Sequence, residues 1–362
     1  MQDMTIILQI LWTSLATSTY YVLFAVAFAL VLKVTRLFNF AQAGVMTIAF
    51  YTAFIVVQWL EWPAWAAFIV MMVVTLAASY ALERIGFEAL RRRGVSVMFV
   101  FVFTFMVSEF VAYVAMLIFG TWPQTIFPTI FWPVTLVGEI AVSGWDLPAM
   151  GATVAALAAF FAFMRFTRTG QFMIGVADNP GLAELYGIDK RQIFLVTMLI
   201  AGAFVGLGMF LYGTRAQVLP QTALSLMLFA VVATIIGGIG NVAGAAIAAV
   251  ILGIVQNASI LVIPSEWQGF LLYIFLFFAI VFFPNGLKLP RRRSRFGTAT
   301  RDIPPAGDAP AETNQLIANR TRSASGSSSA SSEFRRTLGR QRPAQAATFV
   351  RKRSTDARRS AA

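Results

Sequence analysis

The chain has 362 residues, 58% of them hydrophobic and 12% charged, and it contains neither histidine nor cysteine. This composition is typical of an integral membrane protein, because one bilayer span takes about 20 mainly apolar residues. The missing residue types exclude histidine acid–base catalysis, cysteine nucleophiles, disulfides and Cys/His metal sites. The sequence also has no G-x-x-x-x-G-K-[ST] motif, and so no P-loop for ATP. It predicts no catalytic centre, no metal site and no cofactor.

The net charge of +12 lies entirely in one part of the chain. Residues 288–362 hold 17 of the 28 Lys and Arg residues and 5 of the 16 Asp and Glu residues, whereas residues 1–287 hold 11 of each sign. The sequence therefore predicts a transmembrane domain over 1–287 and a disordered, basic, Ser/Arg-rich tail over 288–362. We expect the first basic cluster of the tail to contact anionic membrane lipid rather than nucleic acid.

Apolar runs predict an all-α, polytopic transmembrane helix bundle of about eight to nine spans. The predicted spans are 10–32, 41–58, 63–83, 96–119, 147–166, 193–213, 222–238, 242–262 and 267–283. Lys and Arg concentrate in alternate connections, so the positive-inside rule places the N-terminus outside and the tail in the cytoplasm. Run 222–238 is the weakest, because it is short and ends in Gly-Gly-Ile-Gly, which also suits a re-entrant helix. We interpret it as a crossing, since the alternation of sides requires one.

The polar stretch 165–192 separates two apolar runs and carries basic residues at both ends. Within it, Asn179 suits an N-cap and Pro180 suits the first helical position. Gly187 suits the left-handed residue that ends a helix. The helix predicted over 180–186 is too short to be stable in water by itself.

This short helix has one apolar face, because Leu182, Leu185 and Tyr186 follow the spacing i, i+3, i+4. An apolar face on so short a helix indicates that the helix docks on something. From these residues alone, a protein partner and the lipid headgroups are equally good candidates.

Polar residues in or beside the spans are candidates for a solute pathway. They are Asn39, Gln42, Glu109 and Asn241. Asn39 and Asn241 begin two weakly similar segments, as in the internal repeats of many transporters, although both also suit helix capping. Glu109 lies near the middle of run 96–119, where a charge costs about 2.5–3.5 kcal/mol or more. It either lines a water-filled route or proton relay, bonds a neighbouring helix, or lies nearer an interface than this span implies.

Several segments resemble the integral membrane permeases of high-affinity branched-chain amino acid importers of the ABC class. They are 36–42 (RLFNFAQ), the pattern A-x-N-x-x-x-A-x-x-x-G-I over 177–188, 231–253 (VVATIIGGIGNVAGAAIAAVILG) and 283–287 (FPNGL). In this order they cover about residues 5–287. Two positions depart from the family, which usually has His-Gly-Glu where this chain has Gln42-Ala43-Gly44, and an Arg where Ile174 stands.

The resemblance implies that the chain is one of two permease subunits in the inner membrane, paired with a homologous subunit or with a second copy of itself. Cytoplasmic ABC ATPases and a periplasmic solute-binding protein would be separate chains. The short helix would then be the coupling helix that docks on an ATPase. The residues implied for this coupling loop are Ala177, Asn179, Leu182, Ala183, Leu185, Tyr186 and Gly187.

The leading hypothesis is therefore a permease subunit of an ATP-driven importer for a small polar solute, with branched-chain amino acids favoured. The departure at Gln42 bears on the solute, and relatives of this family are also linked to urea and amides. The alternative hypothesis is a secondary transporter or channel that works without nucleotide, for a small solute such as urea or an amide. Glu109 and the weak internal repeat motivate this alternative.

Overall fold

The computed structural model describes residues 2–127, 134–137, 140–261, 264 and 267–282. Its helices are α1 (Gln2–Thr35), α2 (Ala41–Phe54), α3 (Ala64–Ala81), α4 (Glu88–Arg92), α5 (Val97–Phe119), α6 (Asp146–Phe166), α7 (Arg168–Asp178), α8 (Pro180–Leu185), α9 (Lys190–Gly213), α10 (Thr222–Gly237), α11 (Val242–Ala258) and α12 (Gln268–Phe282). The tail predicted over 288–362 lies outside the described residues.

A helix occupies each of the nine predicted runs. Seven helical stretches in the described part of the chain are long and apolar enough to cross a membrane. This confirms an all-α, multi-pass membrane bundle. The weakest predicted span, α10, is an unbroken helix of 16 residues, about 24 Å long at 1.5 Å per residue. It is thus shorter than the hydrocarbon core of roughly 30 Å, and it packs along its length against α11 and α1.

Two features were not predicted from the sequence. The first is a pair of π-helical segments, Ile55–Trp59 after α2 and Leu82–Phe87 after α3. The segment Leu82–Phe87 joins α3 and α4 into one continuous helical stretch, which ends at Arg92 rather than near residue 83. The other unpredicted feature is an antiparallel hairpin of β1 (Val134–Val137) and β2 (Ile140–Ser143), which pairs Val134 with Ser143.

The centre of the bundle is α1, which packs against α6, α7, α9, α10 and α11. It is apolar on all sides over 22–32, and the side chains of Leu23, Phe24 and Phe28 are completely buried. A helix that is hydrophobic all round is expected in an interior position rather than at a surface. By contrast, α5 and α6 are buried over only a small part of their length, so they form the outside of this subunit.

Contacts between connections agree with the predicted topology. At one end, the side chain of Arg36 reaches the end of α7 and Glu88 pairs with Arg191. These residues all belong to connections predicted to be cytoplasmic. At the other end, Arg215 pairs with Asp146, and the indole N–H of Trp12 donates to the same carboxylate at 3.0 Å. Arg215 is the one basic residue that the predicted topology places on the external side. Its charge is therefore neutralised by Asp146, an acid 69 residues away in the sequence.

Close packing of α9 on the core depends on its glycines. A Cβ at Gly208 would lie 2.6 Å from the ring of Phe24, and one at Gly206 would lie 3.3 Å from the Met72 sulfur. Small residues at these positions let helix backbones approach each other in lipid. Gly206 and Gly208 thus serve close packing of α9 within the subunit.

We expect Gly208→Ala to destabilise the protein by about 1–3 kcal/mol, because the added methyl overpacks the site against Phe24. Gly151→Ala is the matched control, since a Cβ there meets no atom within 4 Å and alanine has the better helix propensity, by about 0.8–1 kcal/mol. Thermal unfolding of both variants in detergent measures the difference. A Gly208→Ala protein as stable as Gly151→Ala would contradict this packing.

Candidate functional site

The local structure of the predicted coupling loop follows its sequence closely. The side-chain oxygen of Asn179 accepts a hydrogen bond from the Leu182 amide at 3.1 Å, and Pro180 takes the first helical position. Gly187 has a φ of +78°, the left-handed conformation that ends such helices. The helix α8 ends at Leu185, with Tyr186 as its C-cap. It is therefore one residue shorter than predicted, with its capping as predicted.

The apolar face of α8 points away from the bundle. Leu182, Leu185 and Tyr186 are 50%, 85% and 79% exposed, whereas Ala183 on the other side of the helix is buried. Ala177, near the end of α7, is buried as well. The two alanines let the loop lie close to the bundle, while the three large side chains remain uncovered by any described part of this chain.

Two polar contacts fix α8 to the body of the protein. The guanidinium of Arg36 donates to the carbonyl oxygens of Ala177 and Asp178 at 3.2 and 3.1 Å. These carbonyls belong to the last turn of α7, where a cation is favourable because the helix leaves them without partners. On the other side of Gly187, Lys190 pairs with Glu184 at 2.7 Å. The loop is thereby held to the end of α1 and to the start of α9.

The position at which the chain departs from the family pattern, Ile174, lies in α7 and is partly buried. Nothing in its surroundings explains the substitution.

A tight gap, with no room for a water molecule, lies at the break between α1 and α2 and is called the cleft below. Its lining includes Thr35, Asn39, Glu83, Arg91 and Met198, from three separate stretches of the chain. The Asn39 side chain is fully buried; its amide N–H₂ approaches the Met198 sulfur at 3.6 Å and its oxygen has no hydrogen-bond partner among the described residues. The N-cap of α2 is Phe40. The capping interpretation of Asn39 is therefore wrong.

Gln42, the second residue of α2, is also buried, and neither polar atom of its amide has a partner in the described part of the chain. Unsatisfied buried amides are unusual, because each costs about 1–3 kcal/mol of lost hydration. Asn39 and Gln42 together therefore make the start of α2 a polar site within an apolar bundle.

The other two pathway candidates lie elsewhere. Asn241 caps α11, since its side-chain oxygen accepts from the Gly244 amide at 3.1 Å, as the capping alternative predicted. Glu109 lies near the middle of α5 and forms no ion pair or hydrogen bond with the described residues. Neighbours one turn before and after it, Phe105 and Tyr113, are exposed. Glu109 is thus neither at an interface nor bonded to an adjacent helix of this chain.

The opposite face of α5 packs on α2. A Cβ at Gly44 would lie 3.4 Å from the Ser108 Cα, and the Thr104 hydroxyl approaches the Phe38 carbonyl oxygen at 3.4 Å. Glu109 is partly buried and borders the exposed side of α5, beside Phe105 and Tyr113, and the structure does not bring it to the cleft at Asn39.

The sequence analysis missed the acids in the second half of the α3–α4 stretch. Glu83 and Glu88 are buried, and Glu83 pairs with Arg91 in the cleft wall. The predicted span ended at residue 83, so Glu83 was expected at a membrane boundary. The π-helical segment Leu82–Phe87 continues the helix instead. The eight-residue separation of Glu83 and Arg91 was the available signal, since it corresponds to about two helical turns.

Comparison with known proteins gives the family. The sequence model described as branched-chain amino acid transport system / permease component matches residues 10–280. The chain belongs to this family of transport permeases. The high-affinity branched-chain amino acid transport system permease proteins LivH of Salmonella typhimurium and of Escherichia coli strain K12 are each 24% identical to it, over 77% of this chain and 94% of the relative. BraD of Pseudomonas aeruginosa is also 24% identical, over 77% and 95%.

Family membership agrees with the architecture. The matched region contains the helices of the bundle and the coupling loop, and the relatives are covered almost end to end. The chain is therefore a multi-pass membrane permease, as the resemblance of its motifs predicted.

Proposed function

We propose that the chain is a permease subunit of an ATP-driven importer in the inner (plasma) membrane. Its partners would be a second permease subunit, homologous or identical, together with cytoplasmic ABC ATPases and a periplasmic solute-binding protein. The observation that carries this proposal is the uncovered apolar face of α8 on a loop that is itself rigidly attached. The sequence has no P-loop motif, so in this proposal the ATP that drives transport is hydrolysed by another chain.

A protein partner explains α8 better than lipid does. The loop projects Leu185 and Tyr186 almost fully exposed from a helix that is only six residues long. Large apolar side chains of this kind, grouped and surrounded by polar residues, mark interaction sites. Capping by Asn179 and anchoring by Arg36 fix the helix before it binds, which lowers the entropy cost of docking.

The outward face of α5 is the surface proposed for the second permease subunit. Glu109 lies beside this face, in the middle of α5, and has no ion pair or hydrogen bond with the described residues; exposure of a carboxylate to hydrocarbon is costly. A second subunit would cover this face and leave a water-filled route along it. Glu109 would then contact the solute in that route.

A branched-chain amino acid is the favoured solute, because the relatives named above transport this class. The chemistry of Glu109 is compatible with it, since a carboxylate at low local dielectric attracts the ammonium group of an amino acid. The amides of Asn39 and Gln42 add donors and acceptors at the cytoplasmic end of the route.

The second candidate is a transporter that works without nucleotide, which Glu109 alone would favour as a proton-binding group. Uptake by the purified chain in liposomes separates the two functions. A proton gradient should drive uptake by the chain alone if this second candidate is correct, and Glu109→Gln should abolish that uptake. Our proposal predicts no such uptake.

We expect Leu185→Asp to reduce ATP-driven uptake by roughly tenfold or more, because docking would bury an unpaired carboxylate in an apolar groove. The measurement is solute uptake by the complete complex in proteoliposomes. Leu147→Asp is the matched control: Leu147 is exposed and is the second residue of α6, where an acid at a helix N-terminus is tolerated. Normal uptake by the Leu185→Asp complex would refute the coupling assignment.

In the same complex, we expect Glu109→Gln to lower uptake of leucine by about tenfold, since the variant removes one charge–charge attraction at mid-membrane. Uptake of a neutral amide such as acetamide, if the complex carries it, should change much less. Equal effects on both solutes, or no effect on leucine, would show that Glu109 does not contact the ammonium group.

A further inference from the structure

The stretch from Glu83 to Arg92 carries a cluster of charges at the cytoplasmic end of the bundle. Its two acids are almost completely buried, with 3% of the Glu83 side chain and 9% of the Glu88 side chain exposed. Buried acids of this kind are rare unless they are paired. Here both are paired with arginines, and the pairs connect the cleft at Asn39 to α9.

Arg91 is the central residue of this cluster. Its guanidinium bonds the Glu83 carboxylate in the cleft wall. The same guanidinium lies over the ring of Phe194, 4.9 Å from its centre, in a cation–π contact. Arg91 therefore contacts both the cleft and the first turns of α9.

Glu88 makes a second connection to α9. It accepts from Arg84 at 2.9 Å and from Arg92 at 2.6 Å, and Arg191 lies 3.6 Å from it. Arg191 is the second residue of α9. The stretch that contains both acids is thus bound to α9 by two contacts, at Arg191 and at Phe194.

The start of α9 is in turn attached to α8. Lys190, the first residue of α9, pairs with Glu184 across the turn at Gly187. A short series of contacts therefore leads from the coupling helix through the base of α9 to Arg91 and Glu83. These contacts connect α8 with the cleft through the first turns of α9.

The cleft itself is incompletely satisfied. Besides the Asn39 oxygen, one carboxylate oxygen of Glu83 and one terminal nitrogen of Arg91 lack hydrogen-bond partners among the described residues. A buried ion pair contributes little to stability, and such pairs are better explained where they set a registry or a switch. These three unpaired atoms lie beside the buried Glu83–Arg91 pair. Such a site is suited to exchange one set of hydrogen bonds for another.

We propose that Arg91 is a positioning residue for transport: by joining the Glu83 carboxylate to Phe194, it makes the cleft at Asn39 move together with α9 when the coupling helix is displaced. This inference rests on the proposed function, because it assumes that an ATPase displaces α8. It assigns to Arg91 and Glu83 the coupling of that displacement to the cytoplasmic end of the solute route.

The test uses the complete complex in proteoliposomes and measures two rates, ATP hydrolysis and leucine uptake. We expect Arg91→Met to hydrolyse ATP at close to the wild-type rate but to move roughly tenfold less leucine per ATP. Arg91→Lys keeps the charge and should recover part of the loss. Arg93→Met is the control, because Arg93 is exposed and forms no ion pair or side-chain hydrogen bond with the described residues; its ratio should equal that of the wild type.

The single variant leaves Glu83 buried without a partner and can fail to assemble. The double variant Glu83→Gln/Arg91→Met removes both charges together, which a folded protein tolerates far better. It should assemble and show the same low ratio of leucine to ATP. A wild-type ratio in either assembled variant would overturn the proposal, as would a loss of both rates in proportion to the amount of assembled complex. Absence of ATP-driven uptake by the wild-type complex would instead refute the proposed function.

Discussion

The break between α1 and α2 is the constraint on which the cytoplasmic half of the protein depends. The groups that a helix leaves without partners at its ends need partners from elsewhere in the protein. Here the chain turns sharply at Arg36, which takes a left-handed φ of 57°, a conformation that costs a non-glycine residue of the order of 1 kcal/mol. The Arg36 side chain donates to the last carbonyls of α7. One residue thus ends the central helix and holds the coupling loop.

Burial is distributed unevenly around this centre, and the distribution fits a subunit of a larger assembly. The interior is built by α1, α2, α9 and α10, whereas α5 and α6 contribute mainly one side each. Lipid suits the apolar exterior of α6. The exterior of α5 includes Glu109 and is therefore better matched by a protein neighbour. The uncovered face of α8 is the corresponding surface at the cytoplasmic end.

Much of the fold was predictable, because the length of an apolar run and the sign of the flanking charges act locally. The caps of α8 were predictable for the same reason, since Asn179, Pro180 and Gly187 act within one turn of the chain. Side-chain partners distant in sequence were not. The pairing of Asp146 with Arg215 depends on which helix ends meet. The burial of Glu83 depends on a π-helical segment that shifts the register of the helix, and no residue type in 82–87 is specific for such a segment.

The pathway residues show the same limit. Asn39 and Asn241 begin similar segments. The Asn241 side chain caps α11. Asn39 precedes Phe40, the N-cap of α2, and its side chain lies in the cleft, where its oxygen has no partner among the described residues. Glu109 was correctly placed near the middle of a span. Its outward direction required the packing of Ser108 on Gly44, which only the assembled bundle provides.

The claim that α8 docks on an ATPase can be tested most directly by labelling, because the chain has no native cysteine. Leu185→Cys would be exposed to a maleimide probe in the isolated permease. Our account predicts that adding the partner ATPases protects this cysteine strongly, while Leu147→Cys at the start of α6 is labelled equally with and without them. Equal labelling of Leu185→Cys in the free permease and in the assembled complex would contradict the account.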